Sequence, residues 1–145
     1  MALNIIKLCV GCDSIEDLIA WREEDAALKR RLGLPVEQYH TTRMRPKREA
    51  DILDGGSLYW VIKANVQCRQ KILDLRPVTG EDGISRCQIV LDHHVVPTQW
   101  QPRRAFQGWR YLDVKDAPAD LKDGQKSLLA MPRALREELA SLGLL

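Results

Sequence analysis

The chain has no apolar run approaching the roughly 18 residues a membrane span needs, and its opening stretch, MALNIIKLCVGC, is interrupted by Lys7. That stretch carries no basic leader and no small-residue cleavage site, so no secretory signal and no membrane association is expected, and a cytoplasmic location is. Also missing are G-x-S-x-G, H-E-x-x-H, G-x-x-x-x-G-K-[ST] and G-x-G-x-x-G. Their absence removes the familiar hydrolase, metalloprotease and nucleotide-fold signatures and leaves no cofactor to expect. Cys9 and Cys12 form a C-x-x-C with no second pair to complete a zinc ribbon, because Cys68 and Cys87 stand alone. In a reducing compartment all four are expected as free thiols and no metal site is expected, although the C-x-x-C spacing of Cys9 and Cys12 is also compatible with metal or redox roles. Acidic residues are absent from 38–48 and again from 93–112. In those two gaps nothing along the chain offsets the cations.

What is present fits one soluble domain over residues 1–145. Apolar content of 45% and charged content of 29% exclude a disordered chain or a fibre. The net charge of +2 conceals an asymmetry, since residues 38–112 hold 12 basic and 7 acidic side chains while the flanking segments are net negative.

Leu3 to Val10 has the β-branched, apolar character of a buried strand. Ser14, with Asp17 three residues on, caps a helix expected to reach Leu32, where Gly33 and Pro35 end it. Its apolar stripe is Ile15, Leu18, Ile19, Ala26 and Leu32, with Trp21 and Leu28 beside it; Arg22, Glu23, Glu24, Lys29 and Arg30 make a solvated face. The segment EQYHTTRMRPKR reads as a loop or short strand, and Pro46 opens a short helix closed by Gly55 and Gly56. Leu58 to Lys63 is apolar on both faces, as a central strand is. Residues 66–78 alternate wet and dry, with Gln67, Arg69 and Lys71 on the wet side, until the pattern slips at Ile72 and Leu73 and predicts a bulge. TGEDG at 79–83 turns the chain into a second strand, 84–96, completing a long hairpin. Gln99 to Gln101, bracketed by prolines, make at best an edge strand, Phe106 to Val114 another strand, and Pro132 starts a final helix with Leu135, Leu139 and Leu142 inward. This order predicts an α+β fold with a curved, mostly antiparallel sheet or small barrel, flanked by N- and C-terminal helices.

The acid-free stretches are the candidate site. Arg43, Arg45, Lys47 and Arg48 cluster after His40, and Arg103, Arg104 and Arg110 lie among Trp100, Phe106, Trp109 and Tyr111. Cations attract phosphate and aromatic faces stack on unpaired bases. With Arg69 and Lys71, the three segments are expected to form one groove for RNA or a nucleotide, in which Trp109 or Tyr111 stacks on a base. The competing reading makes the aromatics core and the arginines a solvated rim. Three further functions compete with RNA binding: a small enzyme acting on a nucleotide or phosphorylated metabolite through His40 or Cys12, a zinc-bound protein, and a protein-interaction module. His93 and His94, adjacent on a strand, are expected on opposite faces and so not as one ligand pair.

The segments NIIKLCVG, HTTRMRPKR, DGGSLYWVIK, CRQ and AFQGWRYL together resemble the bacterial family filed as domain of unknown function 1489. The resemblance spans almost the whole chain and implies a bacterial cytoplasmic protein with no assigned activity. A looser resemblance, from the helix ending in glycine followed by two strands, is to PUA-like barrels, including ASCH-type domains. It implies a small curved β-barrel that binds RNA or modified bases. The Gly-Lys-Lys-Thr-like turn usual in ASCH domains is replaced here by Gly55-Gly56-Ser57.

Overall fold

The computed structural model describes residues 2–121. In chain order the elements are β1 (Leu3–Leu8), α1 (Ile15–Arg31), β2 (Gln38–Thr42), α2 (Glu49–Leu53), β3 (Ser57–Ile62), β4 (Asn65–Thr79), β5 (Ser85–Leu91), β6 (Val96–Pro102) and β7 (Trp109–Asp113). The helix expected from Pro132, with Leu135, Leu139 and Leu142, lies outside the described residues. No described helix is long and apolar enough to cross a membrane.

The strands form one mixed sheet in the order β2-β5-β4-β3-β1-β7, with β6 also paired to β4. Among the described residues only β1 and β3 run parallel, and the other strand pairings are antiparallel. The α+β class is as expected. A closed barrel is not formed among the described residues, because β2 and β7 end the sheet and each pairs along a single edge.

The long strand β4 explains the sheet's bend. One edge carries β3; along the other, β5 pairs residues 72–79 and β6 pairs residues 65–69. The predicted slip is real, for the β4–β5 register shifts between Ile72 and Asp74. Opposite that bulge, residues 92–95 leave the ladder between β5 and β6. Asp92 N–H donates to Lys71 O at 2.8 Å, and the Asp92 side chain accepts from His94 N–H at 2.8 Å, turning the chain there. The β3–β4 turn is unusual, since its two residues, Lys63 and Ala64, both have positive φ (50° and 65°) without being glycine. Arg103 N–H holds this turn by donating to Ala64 O at 2.9 Å. At Gly56 the chain passes so close to its neighbours that an added Cβ would stand 2.1 Å from Leu3 O and 2.5 Å from Ile52 O. A glycine is therefore required.

Two cores lie on the two faces of the sheet. The larger joins Leu3, Ile5, Ile15, Leu18, Ile52, Leu58, Trp60, Cys68, Ile89 and Trp109 beneath α1 and α2. The smaller holds Ile6, Tyr59, Val61, Val66 and Leu112, with Phe106 and Ala117 packed on it. Both faces of β3 are buried, as its continuous apolar pattern requires. The Ser14 hydroxyl caps α1 by accepting from Asp17 N–H at 3.2 Å, and Gly33 adopts a positive φ past its end. The buried face of α1 differs from expectation. It consists of Ile15, Leu18, Arg22 and Ala26, whereas Ile19, Trp21, Leu28 and Leu32 are exposed. Arg22, assigned from sequence to the solvated face, retains only 7% of its accessible surface.

Candidate functional site

The basic loop at 43–48 is fastened to β7 through two aromatic side chains. Trp109 Nε1 donates to Met44 O at 2.6 Å. The Tyr111 hydroxyl accepts the backbone N–H groups of Lys47 and Arg48 at 3.0 and 3.3 Å. The four cations differ in availability. Arg45 is paired with Glu49, and Arg48 meets Asp51 at 3.0 Å, while Arg43 and Lys47 have no carboxylate partner among the described residues. Glu49 is held below the usual carboxylate range by its hydrogen bond from Arg45. Both pairs lie at the surface where the loop enters α2, and such pairs are individually weak.

Next to this loop, where β6 ends and β7 begins, is a hollow of about 510 Å³ whose walls include Ile6, Arg103, Arg104, Phe106, Arg110 and Tyr111. Among the described residues, no acidic side chain lines it. The Arg110 guanidinium lies 5.3 Å from the Phe106 ring centroid, within cation–π range. Tyr111 is 40% exposed and packs edge-on against Trp109, centroid to centroid 4.9 Å. Trp109 itself keeps only 5% of its surface and belongs to the larger core. The base-stacking role considered for Trp109 is therefore incompatible with its position; Tyr111 is the exposed ring of the pair.

Arg69 and Lys71 do not join this hollow. Arg69 forms a bidentate pair with Asp120, both contacts 2.8 Å, and Nη1 donates to Ser57 Oγ at 3.0 Å. That pairing raises the pKa of the guanidinium and anchors it beside Tyr59 and Asp120 in a separate hollow of about 400 Å³. Lys71 is exposed on the same strand. Of the three segments expected to form one groove, Arg69 and Lys71 stand apart from the hollow of 103–111, and the 43–48 loop is linked to it through Tyr111, which borders the hollow and holds the loop by its hydroxyl.

His40 also departs from the expected phosphate contact. Half-buried on β2, it meets Trp60 edge-on at 5.8 Å. Burial, then the nearby Lys7 and Arg22 charges, lower its pKa to about 4. It faces a hollow of about 160 Å³ shared with Trp21 and Arg22 rather than the arginines of 103–110.

All four cysteines are buried thiols. Cys9 is pushed up by burial and by its side-chain hydrogen bond with Cys12, and Cys68 and Cys87 are raised by burial. Reactivity requires the thiolate, which burial disfavours at Cys9, Cys68 and Cys87. No group of three or more His, Cys, Asp or Glu with metal-ligating geometry occurs among the described residues.

Two features escaped sequence reasoning. Arg22 sits at the spacing of Ile15, Leu18 and Ala26, so its stripe position was the available signal. His93 and His94 line the same hollow because residues 92–95 leave the strand, removing the alternation that would separate them.

No curated protein and no solved structure matches the chain. A family model does match, over residues 5–145, and the chain accordingly belongs to the family described as protein of unknown function (DUF1489).

Proposed function

We propose that the protein is a cytoplasmic RNA- or nucleotide-binding module whose contact surface is the hollow formed by Arg103, Arg104, Phe106, Arg110 and Tyr111. The observation that carries this reading is that, among the described residues, no carboxylate lines a cavity bordered by three arginines and two aromatic residues. Arginine forks match phosphate oxygens, and an exposed aromatic face accepts a base of any sequence. Arg43 and Lys47 extend the same positive field along the loop that Tyr111 holds. A small hollow beside an open basic loop suits unpaired nucleotides better than a duplex, because single strands present the ring faces that Tyr111 requires.

The test is fluorescence anisotropy of a labelled short single-stranded RNA, titrated at several salt concentrations with wild type and R103Q/R104Q. Expected are salt-sensitive binding by wild type and a slope of log affinity against log salt that flattens by about 0.7 for each arginine removed. Equal affinity and equal slope in the double variant would remove this surface from consideration.

A further inference from the structure

Arg22 is a buried cation whose surroundings leave it under-satisfied. Its Nη1 donates to Tyr39 O at a long 3.4 Å, and its Nε has no hydrogen-bond partner among the described residues. The guanidinium lies 5.4 Å from the Trp21 ring centroid and 6.0 Å from that of Trp60. No carboxylate lies within ion-pair distance of it among the described residues. The nearby Asp25 instead meets Lys29 at 2.9 Å. A guanidinium held out of water with no carboxylate partner is costly, and the cost falls when an anion neutralises its charge.

The Arg22 side chain also lines a hollow of about 300 Å³ with Gln38, His93, His94 and Glu23. Gln38 is 5% exposed, and its Oε1 is fixed as an acceptor by Gln70 Nε2 at 2.9 Å. His93 and His94 bring exposed imidazoles to the rim through the turn that Asp92 makes. Among the described residues Glu23 is the one acid in the lining, and it is solvent-exposed on α1. By contrast, the smaller hollow on the other side of Arg22 contains Lys29 and Asp25 already matched to each other.

We propose that the hollow between α1, β2 and the 92–95 loop is a second binding site, taking the oxyanion of a small phosphorylated or carboxylated molecule, with Arg22 as its anchor. Gln38 forms part of the wall, His93 and His94 close over the anion from the loop, and Trp21 and Trp60 hold the guanidinium in place. Phosphate and carboxylate share the chemistry that the fork of Arg22 recognises. The site is independent of the arginine hollow, with which it has no residue in common.

Isothermal titration of the full chain with sodium phosphate and, separately, with sodium acetate at constant ionic strength tests the assignment. One or both anions should bind wild type saturably, and the stronger arm identifies the class. H93A/H94A, altered only at exposed positions, should weaken that binding tenfold or more, and R22M should abolish it. R103Q/R104Q should leave it unchanged, which separates failure of this site from failure of the RNA surface. The assignment is overturned by an absence of saturable binding of either anion, by wild-type binding in H93A/H94A, or by loss of binding in R103Q/R104Q. Should R22M fail to fold, H93A/H94A decides alone.

Discussion

Trp60 donates its indole N–H to Gln70 Oε1 at 3.0 Å within the core, and Gln70 passes its own amide hydrogens to Gln38 Oε1 and Asp92 O, each at 2.9 Å. One fully buried side chain thereby ties β3, β4, β2 and the 92–95 loop together. Replacing it with leucine would remove the partner of the buried Trp60 N–H, of the Gln38 oxygen and of the half-buried Asp92 carbonyl. At about 1–3 kcal/mol for each unsatisfied buried group, Q70L should lose roughly 3–5 kcal/mol of stability in urea titration. A loss below about 1 kcal/mol would show that these bonds are replaceable.

The same residue marks the boundary of what the sequence could reveal. The strands, the Ser14 cap and the slip at Ile72 were legible because each is encoded within a few neighbouring residues. Gln70 looked like one more polar residue among Gln67, Arg69 and Lys71, since its partners come from 10, 22 and 32 positions away. The Lys63–Ala64 turn was hidden for another reason. Its left-handed residues carry neither glycine nor asparagine, and Arg103 stabilises them from afar. Within the candidate site, the clustering of cations along the chain was visible. Which cations are neutralised was not, because Arg69 finds Asp120 across 51 positions of sequence. The open sheet likewise depends on where β7 settles, beside β1 rather than against β2, and no local pattern dictates that.

His40 makes stability depend on mildly acidic pH. Its pKa falls from the ordinary value of 6.5 to about 4, first through burial and then through Lys7 and Arg22, so the folded state favours the neutral ring. Between about pH 4 and 6.5 the unfolded chain binds the additional proton. The resulting contribution is present above pH 6.5 and is lost as pH falls toward 4. It amounts to an order of 2–3 kcal/mol, reduced by whatever water still reaches the half-buried ring. Urea titrations of wild type and H40Q across this window should show a steeper decline for wild type. Parallel curves would mean that His40 is not the group responsible.

Tyr111 stands at the meeting of two features, because its hydroxyl fastens the basic loop and the residue also borders the arginine hollow. The two roles can be separated by two substitutions. Y111F keeps the ring but removes the acceptor for the Lys47 and Arg48 N–H groups, both of which can turn to water, so the stability loss should stay within about 1 kcal/mol. Hydrogen exchange at those two amides should nevertheless accelerate severalfold. Y111A removes the ring as well, and loss of a stacked base at about 1–3 kcal/mol should lower RNA affinity by roughly fivefold to more than a hundredfold relative to wild type. If Y111F weakens RNA binding as much as Y111A does, the hydroxyl's hold on the loop governs recognition and the ring contributes little. If Y111A alone weakens it, base stacking on Tyr111 is the contact that matters, and Arg43 and Lys47 act only as a surrounding positive field.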